Sequence, residues 1–116
     1  MDIQVRTDHH VRGKDELISF VTYEVLAGLG PFEHRVTTAH VHLSLENAAA
    51  REPKALRCLL EVRPSGHAPL AVMHRATTKD DAVRGAVSDM RGVLERIFAR
   101  LDGGRRRGAA TVRRTA

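Results

Sequence analysis

From Val36 to Glu46 the chain reads Val-Thr-Thr-Ala-His-Val-His-Leu-Ser-Leu-Glu, and from Ala39 onward apolar and polar side chains alternate. Successive side chains of a strand point to opposite faces of its sheet, so this period of two predicts a strand with one dry and one wet face. Ala39, Val41, Leu43 and Leu45 would face a core, and His40, His42, Ser44 and Glu46 would face water. A sheet built round such a strand needs cover on one side only, which the rest of the chain must supply.

The flanking segments provide that cover. Asp2 to Arg6 alternates with Ile3 and Val5 on one side and predicts a short first strand, followed by the polar Asp8-His9-His10. From Lys14 the period changes: Leu17, Ile18, Phe20, Val21, Val25, Leu26 and Leu29 form a helical stripe, with Asp15 and Glu16 in the first turn, where the helix dipole favours anions. Gly28, Gly30 and Pro31 are expected to end this helix. A strand, a helix and a strand make a crossover unit, which puts the first strand parallel to Val36–Glu46.

After a polar, small-residue loop from Asn47 to Pro53, Leu56, Cys58, Leu60 and Val62 alternate with Arg57, Leu59, Glu61 and Arg63 in a third, antiparallel strand over Lys54 to Arg63. Pro64-Ser65-Gly66-His67 is turn chemistry, and Pro69 to Arg75, with Leu70 and Val72 inward, reads as a fourth strand whose leading proline suggests a sheet edge. Thr77 or Thr78 can cap a second helix with Asp80 and Asp81 in its first turn. Val83, Val87, Met90, Leu94, Ile97 and Leu101 form its apolar stripe, and Asp102-Gly103-Gly104 is expected to close it. The fold expected is α/β (α+β), in the order β-α-β-β-β-α, with two helices packed on one face of a four-stranded mixed sheet.

A chain of 116 residues suits one domain, here residues 1–102, with residues 103–116 as a basic, disordered tail. The formal charge of +5 lies wholly in that tail: residues 1–102 hold 14 Lys plus Arg against 14 Asp plus Glu. The tail carries Arg105, Arg106, Arg107, Arg113 and Arg114 and no acid, so it is either a solubilising end or an arm that displaces phosphate counterions. The single cysteine, Cys58, falls on an apolar strand position and reads as a buried small hydrophobe in a reducing compartment. No apolar run approaches the roughly 20 residues needed to span a bilayer, and Met-Asp-Ile-Gln-Val-Arg lacks a secretory apolar region, so a cytoplasmic protein without membrane contact is expected.

Chemistry-bearing patterns are sparse. His40 and His42 project to one side and could share a metal ion, but a site needs further ligands, for which His74, Glu61 and Glu46 are the candidates; solvated strand histidines are the plainer reading, and no metal or other cofactor is expected. There is no Gly-rich phosphate loop, no Cys-His or Ser-His frame and no isolated carboxylate pair, so neither an enzyme nor a small-molecule substrate is expected. With no Trp, one Tyr and three Phe, aromatic stacking on single-stranded bases is poorly supplied, which leaves phosphate contact as the route to nucleic acid. On the second helix Arg84, Arg91, Arg96 and Arg100 lie off the apolar stripe, as RNA contacts or as an ordinary solvated face.

The element order and two strings resemble the ribosome hibernation-promoting factor and ribosome-associated inhibitor family, in its short form. Ala39-His40-Val41-His42-Leu43-Ser44-Leu45-Glu46 is similar to the family's second strand ending in Leu-Ser-x-Glu. Ala86-Val87 and Val93-Leu94-Glu95-Arg96 are similar to its Ala-Ile and Lys-Leu-Glu-Arg segments. The resemblance covers residues 1 to about 102 and implies a non-enzymatic factor that binds the small ribosomal subunit where mRNA and tRNA would lie, and blocks or stores ribosomes under stress.

It matches Arg96 and Arg100 to basic positions of the family's second helix and Lys54 to one at the start of its third strand. With Arg57, Arg91 and the tail arginines Arg105, Arg106, Arg107, Arg113 and Arg114, these are the candidate rRNA contacts of an expected monomer. The chain departs from the family in the first helix, where Val25, Gly28 and Pro31 stand among usually basic positions, and at Val93, which replaces a lysine. Two alternatives therefore stay open: a protein-interaction module of the same fold that has lost RNA binding, and a metal-binding or pH-sensing protein using His40 and His42.

Overall fold

The computed structural model describes residues 1–8, 14–45 and 55–115, with residues 104–115 described by backbone alone. Its elements are β1 (Asp2–Thr7), α1 (Lys14–Leu29), a 3-10 turn (Gly30–Arg35), β2 (Val36–Leu45), β3 (Leu56–Pro64), β4 (Leu70–Ala76) and α2 (Lys79–Thr115). The expected order β-α-β-β-β-α is present. The strands lie side by side as β1-β2-β3-β4, with β1 parallel to β2 and the other two pairs antiparallel. The strand that begins after Pro69 is an edge strand, as the proline suggests.

Register decides which side chains share a face. Ile3, Ala39 and Val62 lie in one row, and Val5, Val41 and Leu60 in the next. Both helices bury their stripes against this side: Leu17, Val21, Val25 and Leu29 of α1 recur every four residues, and with Val83, Met90 and Leu94 of α2 they join the strand residues in a single core. On β2, Ala39, Val41 and Leu43 are buried while His40 and His42 are exposed. At the strand's end the alternation fades, with Ser44 and Leu45 both half-buried.

The helix termini follow local chemistry. Thr78 is the cap of α2: its Oγ1 accepts a hydrogen bond from the Asp81 amide at 3.1 Å, and its carbonyl accepts one from the Ala82 amide. α1 gives way to the 3-10 turn at Gly30-Pro31. In the β3–β4 turn Gly66 takes a positive φ of 75°, which favours glycine, and the Ser65 amide donates to the Arg35 carbonyl at 2.8 Å, tying this turn to the end of the 3-10 segment.

Three expectations are corrected. α2 does not close at Asp102-Gly103-Gly104, and its backbone stays helical to Thr115. Each glycine costs a helix about 1 kcal/mol, but arginine and alanine are favourable and no proline intervenes. Extension from a helix already packed on the sheet also needs no new nucleus. Leu101, placed on the α2 stripe by its spacing, is 37% exposed, and Leu26 of α1 is exposed as well. His74, considered as a metal ligand beside His40 and His42, pairs in register with buried Cys58 and so lies on the helix side, opposite to theirs.

Two glycines are set by close packing. A Cβ on Gly28 would run into Cγ1 of Val87, where α1 crosses α2, and a Cβ on Gly85 would run into the His74 ring. Gly28→Ala gains about 1 kcal/mol of helix propensity but meets a stiff, buried valine, and overpacking costs about 1–3 kcal/mol. The expected outcome in urea unfolding is therefore a net loss, whereas a stabilised variant would contradict this helix crossing. Burial pushes the Cys58 thiol from 9.0 up to about 12. The folded thiol stays protonated, so it should resist an aromatic disulfide reagent at pH 8 and react once the chain is unfolded. The same shift makes its contribution to stability present below about pH 9 and progressively lost as pH rises toward 12.

Candidate nucleic-acid interface

The candidate RNA contacts do not converge on one patch. Lys54 lies outside the described residues. Arg57 belongs to β3 and faces away from the helices, opposite Ser44 of β2 and Arg75 of β4. Its Nε is buried and has no hydrogen-bond partner among the described residues. Arg91 lies on the other side of the molecule, and its Nε donates to Glu95 Oε1 at 3.1 Å, one helical turn on.

Arg84, seven residues before Arg91 and so on the same flank of α2, donates to Glu24 of α1 at 3.3 Å and lies 5.5 Å from the centre of the Phe20 ring. The α1 side of α2 is thus largely neutralised. Arg96 and Arg100 occupy a different flank. Asp89, seven residues before Arg96, holds Nδ1 of His74 on β4 at 3.1 Å, and Arg100 lines a shallow hollow with His67 of the β3–β4 turn. Both arginines are exposed and have no ion-pair partner among the described residues. Arg105, Arg106, Arg107, Arg113 and Arg114 follow on the helical backbone of α2. Arg100, Arg107 and Arg114 stand seven residues apart, so their Cα atoms share one helix face at intervals of about 10 Å.

One group escaped sequence reasoning. Arg35 closes the 3-10 segment with its guanidinium 3.8 Å above the centre of the Phe98 ring, while Nη1 and Nη2 donate to the two carboxylate oxygens of Asp102 at 3.1 and 3.2 Å. Phe32 packs against Phe98 with ring centres 5.6 Å apart. This fork holds α2 at the point where it leaves the sheet and carries its basic extension onward. No local signal links residue 35 to residue 102; only the folded chain brings them together.

The open face of the sheet was also underestimated. Arg6, Arg57, Arg63 and Arg75 all lie on it with His40 and His42, as their pairing with outward-facing residues shows. The signal was available in strand parity, since each of these arginines stands an odd number of residues from an apolar, helix-facing residue on its own strand. Among the described residues no group of three or more His, Cys, Asp or Glu side chains could hold a metal ion, and no helix is long and apolar enough to cross a membrane.

No protein-family model and no curated protein matches the sequence. Solved structures do match. The N-terminal domain of Protein Y from Thermus thermophilus aligns with a TM-score of 0.68 at 20% identity, over 84% of this chain and 99% of that one. The chain has its fold. A ribosomal subunit interface protein from Coxiella burnetii aligns with a TM-score of 0.70 at 11% identity, over 85% of this chain and 99% of that one. At these identities the likeness establishes the Protein Y fold, and nearly the whole of each of those chains has its counterpart here.

The Arg35–Asp102 fork is expected to act as a unit. In a double-mutant cycle with Arg35→Met and Asp102→Asn, the bidentate geometry should give a coupling of about 1 kcal/mol, near the upper end for half-exposed pairs. Additive losses would show that the contact does not hold the helix.

Proposed function

We propose that this chain is a short member of the ribosome hibernation-promoting factor family. In this reading it is a cytoplasmic, monomeric, non-enzymatic protein that binds rRNA of the small ribosomal subunit and blocks or stores ribosomes under stress. The observation that carries the proposal is the shared fold with Protein Y and with a ribosomal subunit interface protein, over nearly the whole of those chains. The strings Ala39–Glu46 and Val93–Arg96 support it independently.

The mechanism is steric. Phosphate contacts position the domain, and its bulk excludes mRNA and tRNA. Arg96 and Arg100, exposed on the β4 flank of α2, begin a cationic track that Arg105, Arg106, Arg107, Arg113 and Arg114 continue along the same helix. With the α1 flank neutralised by Glu24 and Glu95, this track is the main cationic element on the helix layer.

A second reading has its own observation. Tyr23 is 68% exposed and Leu26 43% exposed on the outer side of α1, an apolar pair on the same helix where Val25, Gly28 and Pro31 depart from the resembled family's basic pattern. That pair favours a protein-interaction module of the same fold.

Salt dependence separates the two. Deleting residues 103–116 removes five arginines. With each phosphate contact contributing about 0.7–0.9 to the slope of log affinity against log salt, the slope for small-subunit or rRNA binding should flatten by up to about three or four. Arg96→Gln with Arg100→Gln should remove about one or two more. Circular dichroism should show every variant folded. Equal affinity and slope for full-length and truncated chains would make the extension a solubilising end.

A further inference from the structure

We infer that the open face of the sheet is a binding platform for single-stranded RNA, separate from the cationic track on α2. This goes beyond the ribosome reading and does not depend on it.

The face is laid out in rows by strand register. Its centre holds His40 and His42 on β2 with Leu59 and Glu61 on β3, and Met73 of β4, 50% exposed, extends the Leu59 position outward. Arg6, Arg57, Arg63 and Arg75 stand round this centre, Arg6 beside His42, Arg63 beside Thr38, and Arg57 between Ser44 and Arg75. Among the described residues, Arg6, Arg57 and Arg63 share this face with the carboxylates of Asp2 and Glu61, and Arg75 stands at its edge.

Arg75 has an interaction of its own, but the guanidinium groups of Arg6, Arg57 and Arg63 have no partner among the described residues. Arg57 also stands directly opposite Arg75 across the β3–β4 pair. The buried Nε of Arg57 has a proton to donate and no acceptor among the described residues. A hollow of about 210 Å³ opens at the centre, bordered by Gln4, Arg6, His40, His42 and Glu61, with a smaller one of about 80 Å³ on the far side of His40 toward Arg63.

These features divide the work that single strands require. Phosphates are drawn to a cationic rim, whereas bases want flat or apolar surfaces, and histidine rings and guanidinium planes stack bases as other aromatics do. Glu61 repels a phosphate from the centre but accepts a hydrogen bond from a base amino group, such as N4 of cytosine. Four strands about 4.8 Å apart offer room for two or three bases. A duplex would present phosphates and no base faces to His40, His42 and Leu59, so the layout favours a single strand. Sequence reasoning set stacking aside because Trp, Tyr and Phe are scarce, and overlooked that histidine supplies the rings here.

The test uses the full chain and a labelled eight-nucleotide cytidine RNA, with a duplex of equal length as control, followed by fluorescence anisotropy. The single strand should bind more tightly than the duplex. His40→Ala with His42→Ala should weaken single-strand binding about ten-fold for each stacked base lost. Arg6→Gln with Arg63→Gln should lower the salt slope by about 0.7 per arginine. In NMR spectra of the unaltered chain, the imidazole C–H resonances of His40 and His42 should shift on titration with the RNA.

Unchanged affinity and slope in both double variants, with unmoved histidine resonances, would overturn the proposal. So would a self-association in sedimentation equilibrium that the His40→Ala/His42→Ala variant abolishes, since a second copy of the chain would then occupy the face. The ribosome reading is judged apart, by binding of the unaltered chain to small subunits. Loss of that binding alone leaves the platform intact, and loss of oligonucleotide binding alone leaves the ribosome reading intact.

Discussion

The structure depends on one constraint: a four-stranded sheet whose helices cover a single side. Ala39, Val41 and Leu43 on β2 and Cys58, Leu60 and Val62 on β3 are buried beneath α1 and α2, and among the described residues no helix lies over His40 and His42. At about 25 cal/mol per Å² of apolar surface, burial of these rows against two amphipathic helices is the main force holding the domain. It also fixes everything polar. A shift of one residue in β2 would put its histidines into the core and its valine and leucine into water, so the register that stabilises the fold also arrays the arginines of β1, β3 and β4 on the open side.

That arrangement explains how a body with balanced charge can still offer binding surfaces. On the helix layer, carboxylates of Glu24 and Glu95 engage Arg84 and Arg91, while Arg96 and Arg100, toward the turn at His67, have no ion-pair partner among the described residues. The Arg35–Asp102 fork then sets the direction in which α2 leaves the sheet. On the outer side of α1, Tyr23 and Leu26 are exposed apolar side chains.

Most of the fold was legible because its signals are local. Alternation in β2 and β3, the four-residue spacing of Leu17, Val21, Val25 and Leu29, and the Thr78 cap each lie within one element. Boundaries were less legible. Gly103 and Gly104 read as a stop because glycine disfavours helix, but a helix already anchored by Met90, Leu94 and Phe98 carries through them. The candidate site was only partly legible, since its geometry arises from pairing between distant segments. Arg57 was recognised, but only strand pairing sets Arg75 opposite it and puts Arg6, two strands away, on the same face, and the contact of Arg35 with Phe98 and Asp102 spans most of the chain.

The central claim, association with the ribosome, is tested most directly by sedimenting the full chain through a sucrose gradient with purified ribosomes and separated subunits at low salt. The account predicts that the protein travels with the small subunit, and with joined ribosomes that contain it, and is released as salt is raised. Protein found only at the top of the gradient at low salt would contradict it.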